Sequence, residues 1–168
     1  PVLYIANVKE EQLAKADEDP HVVVVKEIAA KEHAEVVVLA AALEAEIQQL
    51  PVEERPAFLE ASGLTEPGLN KVVRAGYALL GLQTFFTVGK DEVRAWTFHK
   101  GWKAPLCAGV IHTDFEKGFI KAEVINWKTL IDFGSEAAAR DKGQLRIEGK
   151  EYVMHDGDCV HFRFNVTT

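Results

Sequence analysis

The sequence predicts two architectures in series, an α/β unit with a parallel βαβ core followed by an α+β domain. Three observations carry that prediction. Residues 1–50 alternate strand, helix and strand patterns at the spacing of a crossover unit. From Gln83 the hydrophobic period falls from about 3.6 to about 2. Charge divides at the same place: residues 1–82 carry 7 Lys and Arg against 14 Asp and Glu, whereas residues 83–168 carry 12 of each. A chain of 168 residues has room for one domain or two small ones.

Taken in order, Val2–Ala6 is an apolar strand that stops at Asn7, and the acidic "KADEDP" reads as a loop. A helix follows from about His21 to His33, with Val22, Val25, Ile28 and Ala29 at helical spacing. The β-branched "EVVVLAA" reads as a strand buried on both faces, and a short helix from Leu43 to Leu50 is stopped by Pro51. In a parallel pair the carboxyl ends of both strands, Asn7 and Ala40, open onto the same side. Two helical stretches, "PVEERPAFLEASGL" and "EPGLNKVVRAGYALLGL", make residues 51–82 a helical connector. Pro67 suits its second helix start and Gly81 its end. There Leu69, Val72, Val73, Gly76, Leu79 and Leu80 form one apolar stripe. Within 83–168, "TFFTVG", "VRAWTFH", "GFIKAEVI" and "CVHFRFNV" read as strands. Turn chemistry stands at Gly89-Lys90-Asp91 and Asp156-Gly157-Asp158, and short helices are expected near Trp127–Ile131 and Ser135–Arg140.

Several function classes are disfavoured. No apolar run approaches the roughly 18–20 residues of a membrane span, so no membrane partner is expected. Cys107 and Cys159 are too few for a disulfide framework or a zinc ribbon, and no signal-peptide layout opens the chain. A cytoplasmic protein with reduced thiols is the expectation. A net charge of −7 argues against wholesale electrostatic binding to nucleic acid, and no DNA partner is expected. Lys100, Lys103, Lys117, Lys121, Lys142, Arg146 and Lys150 are nevertheless available to one face of the second half. "HDGDCVHF" gathers His155, Asp156, Asp158, Cys159 and His161, but turn and strand explain it better than a metal site, and no metal is assigned. His112-Thr113-Asp114 with Glu116-Lys117 lacks a third orienting group, and so does a Cys107/His112 pair; a capped turn, in part partner-facing, is expected. Among the aromatics, Trp96, Phe98 and Trp127 suit a core. Trp102, in "HKGWKAP" between Lys100 and Lys103, suits a stacking or contact tip.

Asn7-Val8-Lys9-Glu10 ends one strand and Ala40-Ala41-Ala42 ends the next. P-loop GTPases read the base with Asn-Lys-x-Asp at the first of these places and offer backbone N–H from the second. Here Val8 stands for the Lys and Glu10 for the Asp. The longer side chain displaces the carboxylate that matches guanine's two donors, so adenine or mixed specificity becomes accessible.

Read together, "YIANVKE", "AAALEAEI", "EPGLNKVVRAGYALLGLQTFFT", "EVRAWTF", "IHTDFEKGFIKAEVI", "EGKEY" and "DGDCVHFRFNV" resemble the carboxyl-terminal half of the YchF (Obg-like ATPase) family, along essentially the whole chain. The resemblance implies the end of an Obg-type P-loop NTPase domain over residues 1–50 and a TGS domain, a ubiquitin-like β-grasp fold, over 83–168. It implies ATP favoured over GTP, hydrolysed with Mg²⁺, and a ribosome partner, through the large subunit, or RNA. By position, Asn7, Val8, Glu10, Ala40, Ala41 and Ala42 would line the base pocket, and Lys100, Trp102, Lys103 and Lys117 are the candidates for RNA or partner contact. Ala40 departs from the small polar residue often found at its place. No G-x-x-x-x-G-K-[ST] occurs in the chain, so the phosphate cradle is expected before Pro1, the chain alone is expected not to hydrolyse ATP, and no catalytic residue is named. The rival expectation is a stand-alone β-grasp binding module without nucleotide function.

Overall fold

A computed structural model describes residues 1–89 and 91–165. Part of the expected Gly89-Lys90-Asp91 turn, at Lys90, lies outside the described residues, as does Val166 at the end of "CVHFRFNV". The chain forms two compact units, Pro1–Leu80 and from Gly81 onward.

In the first unit, strands β1 (Leu3–Asn7) and β2 (Glu35–Leu39) pair in parallel, with Asn7 opposite Leu39. Helix α1 (Pro20–Lys31) makes the crossover between them. It starts at Pro20 because Asp19 Oδ1 accepts the His21 and Val22 amides at 2.9 and 3.3 Å, the usual N-cap device. His33 leaves it with φ 55°. The segment read as an acidic loop is instead a 3-10 run over Glu10–Glu18, kinked at Lys15. Its acidic residues mask a local pattern in which Gln12, Leu13 and Ala16 turn inward. Helices α2 (Ala41–Gln49), α3 (Arg55–Ala61) and α4 (Gly68–Leu79) complete the unit, and Ala40, Leu43, Ile47 and Leu59 form a core with Leu13, Phe58 and Leu64 against it.

The α4 stripe is corrected by the packing. Leu69, Val73 and Leu80 are 45–56 % exposed, while Ala75 is buried. The packed face is the neighbouring row Gly68, Val72, Ala75 and Leu79, which keeps an i, i+4, i+7 spacing but uses smaller residues. A Cβ at Gly68 would stand 3.1 Å from Leu39 Cβ, so a small residue lets α4 close on β2.

The second unit is a mixed five-stranded sheet of order β4-β3-β7-β5-β6. Its strands are β3 (Leu82–Val88), β4 (Val93–His99), β5 (Phe119–Asn126), β6 (Arg146–Glu148) and β7 (Asp158–Phe164). Only the β3–β7 pair is parallel. On one face Phe85, Phe98, Val124, Val160 and Phe162 pack with α5 (Ala104–Ile111) and α6 (Thr113–Lys117), two helices not expected from the sequence pattern. Helix α5 escaped notice because it has no charged residue to mark an outer face. On the other face Ile125 and Cys159 pack with Ala139 of α8 (Glu136–Asp141), next to α7 (Trp127–Phe133). Phe85 is fully buried and touches the rings of Trp96, Phe98 and Phe162. Phe85→Ala is expected to cost about 3–5 kcal/mol in urea unfolding.

Glu123 on β5 ties the sheet to α8. Its carboxylate accepts from Arg163 at 3.1 and 3.3 Å and lies 3.6 Å from Arg140. The Arg163 hydrogen bonds hold its pKa below the ordinary 4.5. The stabilisation is therefore complete above the ordinary value and is lost as pH falls through the lowered one. The stability margin of the wild type over Glu123→Gln should shrink from about pH 5 downward in thermal melts across pH.

Candidate functional site

The two sequence segments singled out at the strand ends are joined by one hydrogen bond. Asn7 Oδ1 accepts the Ala41 amide at 2.9 Å, across 34 residues of sequence. The Val8 amide donates to Leu39 O at 2.9 Å and carries the strand ladder one step past β1. Ala40 is buried in the core of the unit, so its methyl group serves packing. Ala41 and Ala42 sit exposed in the first turn of α2. Val8 is half-buried, and Glu10 is exposed at the start of the 3-10 run. All six expected base-edge residues thus lie at the carboxyl end of the parallel pair.

The turn that presents Glu10 is fastened by residues the sequence reading passed over. The Lys9 amide donates to Gln12 Oε1 at 2.9 Å, and Gln12 Nε2 donates to Asp19 Oδ2 at the same distance. Asp19 is the cap of α1, so base edge and crossover helix share one polar chain. Glu44 is the second omission. Its carboxylate accepts the Gly68 amide at 2.6 Å and the Leu69 amide at 3.1 Å. A signal existed: α4 starts behind Pro67, which has no side chain that can cap it, so its first amides needed a remote acceptor.

Chemically, an Asn whose oxygen is engaged keeps its two Nδ2 hydrogens as donors, which suits the N7 acceptor common to adenine and guanine. Such an arrangement can meet the N7 of either purine without choosing between them. Each phosphate or metal contact would have to come from other parts of a nucleotide site.

In the second unit, Lys100 is exposed beside the sheet, its amide bonded to Gly81 O at 2.7 Å. Trp102 is part-buried: its ring packs against the core and stands 5.1 Å from the His99 ring. Lys103 pairs with Glu151 at 2.5 Å. Lys117 is exposed at the end of α6. Phe98 is buried and Trp96, under Arg94, donates to Thr87 Oγ1; Trp127, at 47 % exposure, is the outward-facing tryptophan. Burial pushes the Cys107 thiol up to about 12, which removes it as a nucleophile at neutral pH. His112 Nδ1 accepts the Asp114 amide at 3.2 Å as the cap of α6.

Comparison with known proteins fits this geometry. The family model YchF-GTPase_C, described as a protein of unknown function (DUF933), matches residues 82–165. The ribosome-binding ATPase YchF of Bacillus subtilis is 52 % identical over 166 residues, 99 % of this chain and 45 % of that protein. The chain belongs to the YchF family of Obg-like ATPases. Obg-like ATPase 1 of rat is 44 % identical over 98 % of the chain and 42 % of its own length. The YchF GTPase structure of Schizosaccharomyces pombe superposes with a TM-score of 0.85 at 34 % identity, covering 97 % of this chain and 43 % of that one. The chain thus corresponds to the carboxyl-terminal portion of YchF proteins and spans about 45 % of the length of these relatives. Within that portion Glu44→Ala should release the start of α4. The expected cost is about 1.5–3 kcal/mol, with faster hydrogen exchange at the Gly68 and Leu69 amides.

Proposed function

We propose that this chain is the carboxyl-terminal part of a cytoplasmic nucleoside-triphosphate hydrolase that favours ATP over GTP and works on the ribosome. Residues 1–50 are the end of its P-loop NTPase domain, 51–82 a helical connector, and 83–168 a TGS domain of ubiquitin-like β-grasp fold. The observation that carries the reading is the Asn7–Ala41 hydrogen bond, which holds Asn7, Val8 and Glu10 beside Ala40, Ala41 and Ala42 at one sheet edge. A purine placed there meets Asn7 Nδ2 at N7, the half-buried Val8 as an apolar wall, and the Glu10 carboxylate on its Watson–Crick edge. Guanine's carbonyl O6 needs an N–H donor from the second loop. The Ala41 amide is already engaged by Asn7, so one such donor is withheld, and adenine, with an amine at the same position, does not need it.

No G-x-x-x-x-G-K-[ST] occurs in the 168 residues, so no phosphate or Mg²⁺ contact and no hydrolytic step is assigned to them. The second unit supports an interaction role with the ribosome, through the large subunit, or with RNA. Lys100, Lys103, Lys117 and the open rim of Trp102 are its contacts. The relatives' names, a ribosome-binding ATPase in one case and a GTPase in another, support both halves of the proposal and differ over the base.

Calorimetric titration of ATP and GTP, with Mg²⁺, into the intact protein and its Glu10→Asp variant tests the base edge. The wild type should bind ATP more tightly. In the variant the ratio should move toward GTP by about tenfold, or 1.4 kcal/mol. An unchanged ratio would remove Glu10 as the base reader. Absence of binding by the intact protein would leave the second unit, as a binding module, to carry the function.

A further inference from the structure

The second unit has a hollow of about 420 Å³ lined by Pro105, Thr113, Glu116, Lys117, Phe119 and Lys150. Three separate stretches of sequence meet there: the first turn of α5, the whole of α6 with the start of β5, and the turn before Tyr152. Several of the basic residues around the sheet are ion-paired. Lys103 pairs with Glu151; Lys121, Arg140 and Arg163 surround Glu123; Arg146 pairs with Glu148. Lys117 and Lys150, like Lys100, Lys128 and Lys142, take part in no ion pair among the described residues, and these two face the same hollow. Two ammonium groups on one concavity repel each other unless an anion lies between them.

The lining holds one carboxylate, Glu116, to two lysines, so its charge stays net positive. Glu116 lies against Gly109 of α5, where a Cβ would collide with its carboxylate. The frame holding the lysines is tight. Gly118 approaches the backbone of Asn165 so closely that any Cβ would overlap it, and the Asn165 amide donates to Gly118 O at 2.9 Å. The Ala104 amide donates to Tyr152 O at 2.8 Å, which ties the start of α5 to the segment carrying Lys150. The hollow therefore offers two cations at set positions, a Thr113 hydroxyl as a further donor, and an apolar floor of Pro105 and Phe119.

We infer that this hollow binds the phosphodiester backbone of an RNA strand, Lys117 and Lys150 each on one phosphate, with the apolar floor against a sugar. The inference rests on the proposed role of the second unit in ribosome or RNA contact and gives that role a place. It adds Lys150 and an apolar floor to Lys117 among the contacts proposed above. An anionic membrane is the poorer fit, because the hollow is a small concavity on a chain of net charge −7 and not a broad basic face.

The test measures affinity of the intact protein for purified ribosomes and for a short labelled single-stranded RNA across a potassium chloride series. The Lys117→Gln/Lys150→Gln double variant is compared with wild type and with Lys128→Gln/Lys142→Gln, which removes the same charge elsewhere on the unit. For the short RNA, the first variant should bind several-fold more weakly at low salt. The slope of log affinity against log salt should be lower by about 1.4, two contacts at roughly 0.7 each. The second variant should match wild type. Equal slopes in all three proteins, or an equal loss in both variants, would overturn the hollow while leaving an RNA-binding role intact. A wild type that binds neither ribosomes nor RNA would overturn that role and the hollow with it. Displacement of the RNA by inorganic phosphate, at an ionic strength where chloride does not displace it, would assign the hollow to a free anion and overturn the RNA strand as its ligand.

Discussion

The parallel pairing of β1 with β2 is the constraint from which the base edge follows. Parallel strands need a crossover between them, and α1 returns the chain so that both strands end on the same side. With Asn7 opposite Leu39, the loops after each strand must emerge next to one another, close enough for a side chain of one to take an amide of the other. A slip of one residue would turn the buried Ala6 and Val37 outward and carry Asn7 away from Ala41. The site is thus a consequence of register, and register is a consequence of which residues β1 and β2 bury.

In the second unit β7 has the corresponding role, since it lies between β3 and β5 and begins at a buried carboxylate. Asp158 is 1 % exposed, and each of its partners comes from the stretch just before β7 or from β6. Its Oδ2 accepts from the Tyr152 hydroxyl at 2.8 Å and from the His155 amide at 3.0 Å, and Arg146 stands 3.5 Å from its Oδ1. A buried charge without such partners would cost several kcal/mol. The Tyr152 hydroxyl has one proton and gives it to Asp158. Its oxygen therefore accepts from Arg146 at 2.8 Å and from His155 Nδ1 at 2.9 Å, which assigns the proton on that imidazole to Nδ1. Burial together with the Asp158 carboxylate pushes the Tyr152 hydroxyl up to about 12, so it keeps its proton across neutral pH. The cluster that looked like metal ligands in sequence is used as a structural anchor for the central strand.

What could be read from the sequence was what repeats along the chain. The βαβ order, the change of period near Gln83 and the short helices after Asn126 all rest on local patterns, and the structure has each of them. The strand ends at Asn7 and Ala40 were legible for the same reason. Long-range hydrogen bonds were not: Gln12 to Asp19, Glu44 to Gly68 and Asp156 to the Thr84 amide at 2.8 Å have no periodic signature. Helix α5 failed for a different reason. "APLCAGVI" is apolar all round, so the contrast that reveals a helix face is missing, and Pro105 was the one available start signal. Stripe and packed face of α4 diverged because hydrophobicity favours the larger row, whereas close approach to β2 favours the row with Gly68 and Ala75.

Charge shows most clearly why totals are a poor guide to contact. The second half of the chain sums to zero, which taken alone would make it indifferent to a polyanion. At physiological ionic strength, however, exposed charges are screened over about 8 Å, so an approaching group responds to what lies within one such length. Within that reach Glu123 faces three cations and Glu151 pairs with Lys103, while neither Lys117 nor Lys150 is in an ion pair among the described residues. Among the described residues, folding has put some of these cations into ion pairs and left others without one. Of the cations without an ion pair among the described residues, Lys117 and Lys150 share one concavity beside α6, where an anion would meet two cations and one carboxylate on an acidic chain.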